Sequence, residues 1–166
     1  MCWCWAPGGA ASAAVCALLD GGAAEIVVRN RSPERARALV ERYAAEAEGR
    51  LRLGPAEGAP SPDDEFDLAV NATPLGVHAG DPLPLPHVES ISRAALDLAY
   101  SPHETAWVRH ARDAGLRAAD GREMLLLQAA AAFQRWTGRP APLAVMRAAL
   151  TASAAHHTRK EGVDAR

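Results

Sequence analysis

Two short segments carry the residue types that chemistry needs. Asn30-Arg31-Ser32-Pro33-Glu34-Arg35 follows the β-branched run Glu25-Ile26-Val27-Val28 and sets two guanidiniums, a hydroxyl and an amide near the start of a helix. An acid at this point would accept hydrogen bonds from free ribose hydroxyls but repel a ribose phosphate. Arg31 and Arg35 instead suit a phosphate, with Ser32 and Asn30 adding polar contacts. The plain alternative is an exposed arginine cluster, and it is weakened because cations oppose the dipole at a helix N-terminus unless an anion is present. The second segment, Asn71-Ala72-Thr73-Pro74-Leu75-Gly76, ends the apolar run Phe66 to Val70 and so reaches the carboxyl edge of a sheet, where open α/β proteins bind ligands. Alone it also reads as a strand ending in a Pro-Gly turn. Together the segments point to NADP, with the ribose phosphate at Arg31 and Arg35 and the nicotinamide ribose near Thr73.

Other candidates are weaker singly. Gly8-Gly9-Ala10 provides the small residues that let backbone N–H groups approach a diphosphate at a helix N-terminus. Ala6 stands where a first glycine is usual and Pro7 removes a donor, so a simple tight turn explains the segment equally well. Tyr100 follows the run Ala95 to Leu98 closely enough to face the same sheet edge. Gln128 lies within Leu125-Leu126-Leu127-Gln128-Ala129, where burying an amide is costly unless a backbone group or a hydroxylated ligand satisfies it. The histidines are scattered, no serine occupies a nucleophile elbow, and no metal motif is present. Cys2 and Cys4 read as two thiols in a strand rather than metal ligands, since no second pair follows at ligand spacing.

Positioning these residues requires alternating strands and helices. The reading is a short strand over residues 1–5, a helix from Ala10 to Leu19 closed by Gly21-Gly22, a strand at Glu25 to Val28, and a helix from Pro33 to about Glu48. Strands follow at Leu51 to Leu53, Phe66 to Asn71, Ala94 to Leu98 and Leu116 to Ala118. Helices follow at Thr105 to Ala114, Arg122 to Trp136 and Ala141 to Ala152. Residues 54–64 and 81–86 read as surface loops. The class is α/β, a doubly wound and mostly parallel sheet with helices on both faces, over residues 1–152. Residues 153–166 read as a polar, disordered tail.

The 166 residues suit one domain, and a net charge of -2 gives no argument for a nucleic-acid or membrane partner. Seventeen of the 18 basic residues are arginine, and the single lysine, Lys160, lies in the tail, which leaves no lysine for proton transfer in the core. Three cysteines and no leader-like start favour a reducing cytoplasm.

The ordered set resembles the NADP-binding, C-terminal domain of shikimate dehydrogenase. It comprises Gly8-Gly9-Ala10, Asn30 to Ala36, Asn71 to Gly76, Asp97-Leu98-Ala99-Tyr100-Ser101-Pro102 with Thr105, Gly121, Met124-Leu125, Gln128-Ala129, Phe133 and Trp136-Thr137-Gly138, and it spans residues 6–150. The resemblance implies a Rossmann-like fold and reversible hydride transfer between NADPH and 3-dehydroshikimate, giving shikimate. It assigns Ala6, Pro7, Gly8, Gly9 and Ala10 to the diphosphate turn, and Asn30, Arg31, Ser32 and Arg35 to the 2′-phosphate. It assigns Asn71, Thr73, Leu98, Gly121 and Met124 to the rest of the cofactor, and Tyr100 and Gln128 to the substrate. In this family an N-terminal domain carries most substrate contacts and a Lys/Asp pair. The chain begins near the phosphate turn, so the expectation is a fragment lacking that domain and inactive alone. Two alternatives stand beside it: a non-catalytic NADP-binding module, and the cofactor domain of a quinate or aminoshikimate dehydrogenase.

Overall fold

The structure, a computed structural model, describes residues 1–5, 8–55, 65–77, 80–101 and 104–161, with backbone alone for Trp3, Trp5 and residues 153–161. Its strands are β1 (Cys2–Trp5), β2 (Ile26–Arg29), β3 (Leu51–Leu53), β4 (Leu68–Asn71), β5 (Ala94–Asp97) and β6 (Arg117–Ala119). Its helices are α1 (Gly9–Asp20), α2 (Pro33–Arg42), α3 (Ala44–Ala47), α4 (Ala106–Asp113), α5 (Arg122–Thr137) and α6 (Leu143–Glu161). The strands form one sheet in the order β3-β2-β1-β4-β5-β6, and every pairing is parallel. A parallel sheet must be covered on both faces, which is why β2 reads as an unbroken apolar run and its Ile26, Val27 and Val28 are all fully buried. Each such side chain contributes about 1.5–3 kcal/mol relative to exposure.

The period of two sorts β2 between the faces. Val27 joins Phe66, Ala69, Val88, Ala95, Trp107 and Ala111 on one side, while Ile26 and Val28 join Val15, Leu19, Ala36, Ala47 and Leu51 on the other. Helix α1 lies against the sheet through Ala11, Val15 and Leu19, spaced four apart on one face. Cys4 is enclosed by Ala11, Val70 and Ala72. The Arg50 guanidinium donates to the carbonyls of Leu19, Ala23, Glu46 and Ala47 and thereby closes the C-terminal ends of α1 and α3.

Several boundaries differ from the sequence reading. The helix expected to reach Glu48 ends at Arg42, and the chain changes direction at Tyr43 (φ -108°, ψ 13°) before α3. Tyr43 and Ala47 then pack on the same cluster as Leu39 and Val40. The 81–86 segment is anchored rather than lying loosely on the surface, because Leu85 is buried and its carbonyl accepts the Trp107 indole N–H at 3.0 Å. Helix α6 continues to Glu161, through residues read as disordered. Ala148, Ala149, Ala152, Ala154 and Ala155 favour helix, and no glycine or proline intervenes before Gly162.

In this strand order the chain leaves β1 towards β2 on one side and returns to β4 on the other, so the loops after β1 and β4 diverge. That divergence opens a crevice at the carboxyl ends of the strands, the place where doubly wound sheets hold ligands.

Candidate cofactor-binding site

The expected segments meet at this crevice. A cleft of about 410 Å³ is lined by Asn30, Arg31, Ser32, Arg35, Thr73, Pro74 and Leu75, joining the β2 and β4 ends across some 40 residues of sequence. An adjoining cleft of about 400 Å³ is lined by Gly8, Gly9, Ser12, Asn30, Arg35, Ala38, Leu39 and Arg42. Among the described residues, neither lining contains a carboxylate. Arg52, Arg93, Arg112, Arg122 and Arg147 are each paired with an acid, whereas Arg31 and Arg35 enter no ion pair among the described residues. Two exposed cations over a cleft whose described lining carries no carboxylate suit an anion such as a ribose phosphate.

The turn before α1 is built for close approach. Gly8 has φ 99° and ψ -159°, a region essentially restricted to glycine, and as N-cap it brings no side chain to the helix. No acidic residue lies in the first turn of α1, so the positive helix end is not neutralised by its own side chains. Gly9 has no such conformational demand, and a Cβ there would meet nothing within 4 Å. The fold therefore does not require glycine at 9, but a ligand lying against the backbone would. Ala10 is exposed beside it, and Ala6 and Pro7 lie outside the described residues.

The arginine segment is shaped by its own small polar residues. Asn30 is buried, and its Oδ1 accepts the Ser32 N–H at 3.0 Å, fixing the turn after β2. Ser32 caps α2 by accepting from the Arg35 N–H at 3.4 Å. Its hydroxyl, expected to face a phosphate, donates to Glu34 at 2.8 Å instead. Glu34's own backbone N–H, with that hydroxyl, holds its carboxyl below the usual carboxylate range. Glu34 thus meets the helix N-terminus, leaving Arg31 and Arg35 as the cations over the cleft.

Asn71 differs from expectation. It is 1% exposed, and both ends of its amide are engaged inside the protein. Its Nδ2 donates to Asp97 at 2.8 Å and to the Leu75 carbonyl at 3.3 Å, while its Oδ1 accepts from the Thr73 N–H and hydroxyl at 3.0 and 2.7 Å. Asn71 shapes the loop that lines the cleft and does not itself line it. Thr73 and Leu75 do, and the Thr73 oxygen accepts the Leu75 N–H at 3.2 Å.

Leu98 and Gly121 lie against each other. Leu98 N–H donates to the Asn71 carbonyl at 2.8 Å, and Gly121 N–H to the Ala99 carbonyl at 3.0 Å. A Cβ on Gly121 would lie 2.3 Å from the Leu98 carbonyl oxygen, so this close approach demands glycine. Met124 is half-buried in the first turn of α5. Tyr100 is 47% exposed, and Gln128 is exposed on α5 rather than buried among the leucines around it. The burial cost that singled out Gln128 is therefore not incurred here. Helix geometry accounts for this, since the Leu126 and Ala130 positions face inward and Leu127 and Gln128 turn outward.

Sequence reasoning used Asp97 and Thr105 only as motif members. Asp97 is fully buried and accepts from Asn71, Ala99 N–H and the Thr105 hydroxyl. Its signal was an acid inside the apolar run Ala94 to Leu98. Among the described residues no group of three or more His, Cys, Asp or Glu is arranged to hold a metal, and no helix is long and apolar enough to cross a membrane.

Proteins similar to this chain in sequence and in shape are known. A family model described as the shikimate 5'-dehydrogenase C-terminal domain matches residues 121–151. A shikimate dehydrogenase (NADP(+)) from Rubrobacter xylanophilus is 43% identical over 148 residues, covering 87% of this chain and 51% of the relative. Shikimate 5-dehydrogenase from Thermus thermophilus, in complex with NADP(H) and shikimate, matches with TM-score 0.70 and 33% identity over 92% of this chain and 54% of that one. Quinate dehydrogenase from Corynebacterium glutamicum, in complex with NAD, matches with TM-score 0.75 and 27% identity over 88% of this chain and 52% of that one. The chain spans about half the length of the curated relatives it matches.

Proposed function

We propose that this chain, a relative of the shikimate dehydrogenases in sequence and fold, is the NADP-binding half of such an enzyme and serves hydride transfer between NADPH and 3-dehydroshikimate. The observation that carries this reading is the cleft in which Arg31 of the loop after β2 and Arg35 of the first turn of α2 lie with Thr73 across the switch point of the sheet, with no carboxylate among the described lining residues. Arg31 and Arg35 hold the 2′-phosphate, and the turn from Ala6 to Ala10, with the N-terminus of α1, holds the diphosphate. Thr73 lies beside the cofactor, and Leu98, Gly121 and Met124 back the nicotinamide end. NADP supplies the hydride chemistry when bound, and this chain binds and orients it.

Tyr100 and Gln128 are both exposed, and they reach the substrate from this side. The resemblance puts the proton-transfer pair and the remaining substrate contacts in the other half of the enzyme, and it is consistent with that division that the only lysine of this sequence is Lys160. Leu127 and Trp136 of α5, 53% and 83% exposed, are apolar surface suited to meeting that half.

The test joins the N-terminal half of the Rubrobacter relative ahead of this chain and assays shikimate, quinate and aminoshikimate with NADP and NAD. NADP-dependent shikimate oxidation is expected. NADPH binding without oxidation of any substrate would identify a non-catalytic module, and preference for quinate or aminoshikimate would reassign the substrate.

A further inference from the structure

We propose that Asp97 is a positioning residue for the nicotinamide side of the cleft, its buried carboxylate fixing the loop after β4 against the loop after β5. The inference rests on the NADP reading above. Asp97 ends β5 with no exposure, and its hydrogen-bond partners among the described residues are neutral donors. Its Oδ1 accepts from Asn71 Nδ2 at 2.8 Å and from the Ala99 N–H at 3.0 Å, and its Oδ2 accepts from the Thr105 hydroxyl at 2.7 Å. Those donors come from the end of β4, the loop after β5 and the N-cap of α4. One side chain thus ties three elements at the crevice.

The tie sets more than spacing. An ionised carboxylate only accepts, so Asn71 must turn its NH2 to Asp97 and its oxygen to Thr73. That oxygen then receives both the Thr73 N–H and the Thr73 hydroxyl, and the Thr73 oxygen receives the Leu75 N–H. The polarity chosen at Asp97 passes through Asn71 to Thr73 and Leu75, which line the cleft. A reversed Asn71 amide would set oxygen against carboxylate and NH2 against the Thr73 N–H. Arg31 and Arg35 sit on the segment after β2, which is fixed by its own Asn30 and Ser32 bonds, so the adenosine side is held independently.

Two ligands separate the halves of the site: NADPH engages both sides, and 2′,5′-ADP only the adenosine side. Calorimetric titration of the full chain is expected to give Asp97→Ala a loss of roughly tenfold or more for NADPH and less than about threefold for 2′,5′-ADP. Asp97→Asn keeps an acceptor for Asn71 and Ala99 and offers its NH2 to the Thr105 oxygen, so it should restore NADPH binding to within about threefold. Asn71→Leu breaks the relay while leaving Asp97 its Ala99 and Thr105 partners, and it should reproduce the selective loss if Asp97→Ala does not fold. Unchanged NADPH binding in Asp97→Ala or Asn71→Leu, or parallel loss of both ligands, would overturn the positioning role. A parent chain that binds neither ligand would overturn the NADP reading and this inference with it.

Discussion

Replacing Gly121 with alanine probes how closely the loop after β5 is held against the start of α5. The glycine has φ -73°, open to any residue, so conformation does not exclude alanine. Contact does: the added Cβ would lie 2.3 Å from the Leu98 carbonyl oxygen, 2.9 Å from its carbon and 3.2 Å from the Ala99 oxygen, all backbone atoms. Reaching even ~3.0 Å requires the two backbones to part by about 0.7 Å, and close-packed interiors transmit such a shift. The Gly121 N–H to Ala99 carbonyl bond, 3.0 Å long, would stretch beyond hydrogen-bonding range. Overpacking costs about 1–3 kcal/mol and an unpaired buried backbone group a further ~1–3 kcal/mol. The expected total is therefore about 2–6 kcal/mol, or a melting point lower by at least about 4 °C. Urea unfolding and a thermal melt of Gly121→Ala against the parent measure it. A variant within about 0.5 kcal/mol of the parent would refute the packing argument.

Two further outcomes follow from the buried groups. Burial pushes the Cys4 thiol up to about 12, while Cys16 is exposed on α1, so a thiol reagent should label Cys16 rapidly and Cys4 only on unfolding; rapid native labelling of Cys4 would contradict the fold around β1. Burial also raises the Asp97 carboxyl above its ordinary 3.8, against the lowering effect of its hydrogen bonds from Thr105, Ala99 and Asn71. A raised folded value means that the native state binds the proton more tightly, so this contribution to stability is full below pH 3.8 and is lost as pH rises through the folded value. Urea unfolding across that window should therefore show Asp97→Asn gaining on the parent as pH rises, then a constant difference; a gain in the opposite direction would show that the hydrogen bonds outweigh burial.

What was legible in the sequence followed from local rules. Apolar runs such as Ile26-Val27-Val28 and punctuation such as Gly21-Gly22 and Pro33 fixed the alternation of elements, and alternation implies a parallel sheet. The cleft was legible because Arg31, Arg35 and Thr73 follow strands that end at one edge. Three features were hidden because they depend on distant partners or on which way a side chain turns. Asn71 read as a ligand contact, but Asp97, 26 residues away, claims its amide. Gln128 read as a buried amide because its neighbours are leucines, yet the helix turns it outward. Ser32 read as a phosphate contact, but Glu34 takes its hydroxyl. Alanine content carried α6 through a stretch whose polarity had suggested disorder, since propensity acts locally whatever the charge.

The central claim is that Arg31 and Arg35 read a 2′-phosphate, and the most direct measurement is the affinity of the full chain for NADPH and NADH, compared with Arg31→Ala. The parent is expected to bind NADPH more tightly than NADH, and Arg31→Ala to lose about 1.5–3 kcal/mol for NADPH with little change for NADH. No binding of NADPH, or equal loss for both cofactors, would contradict it.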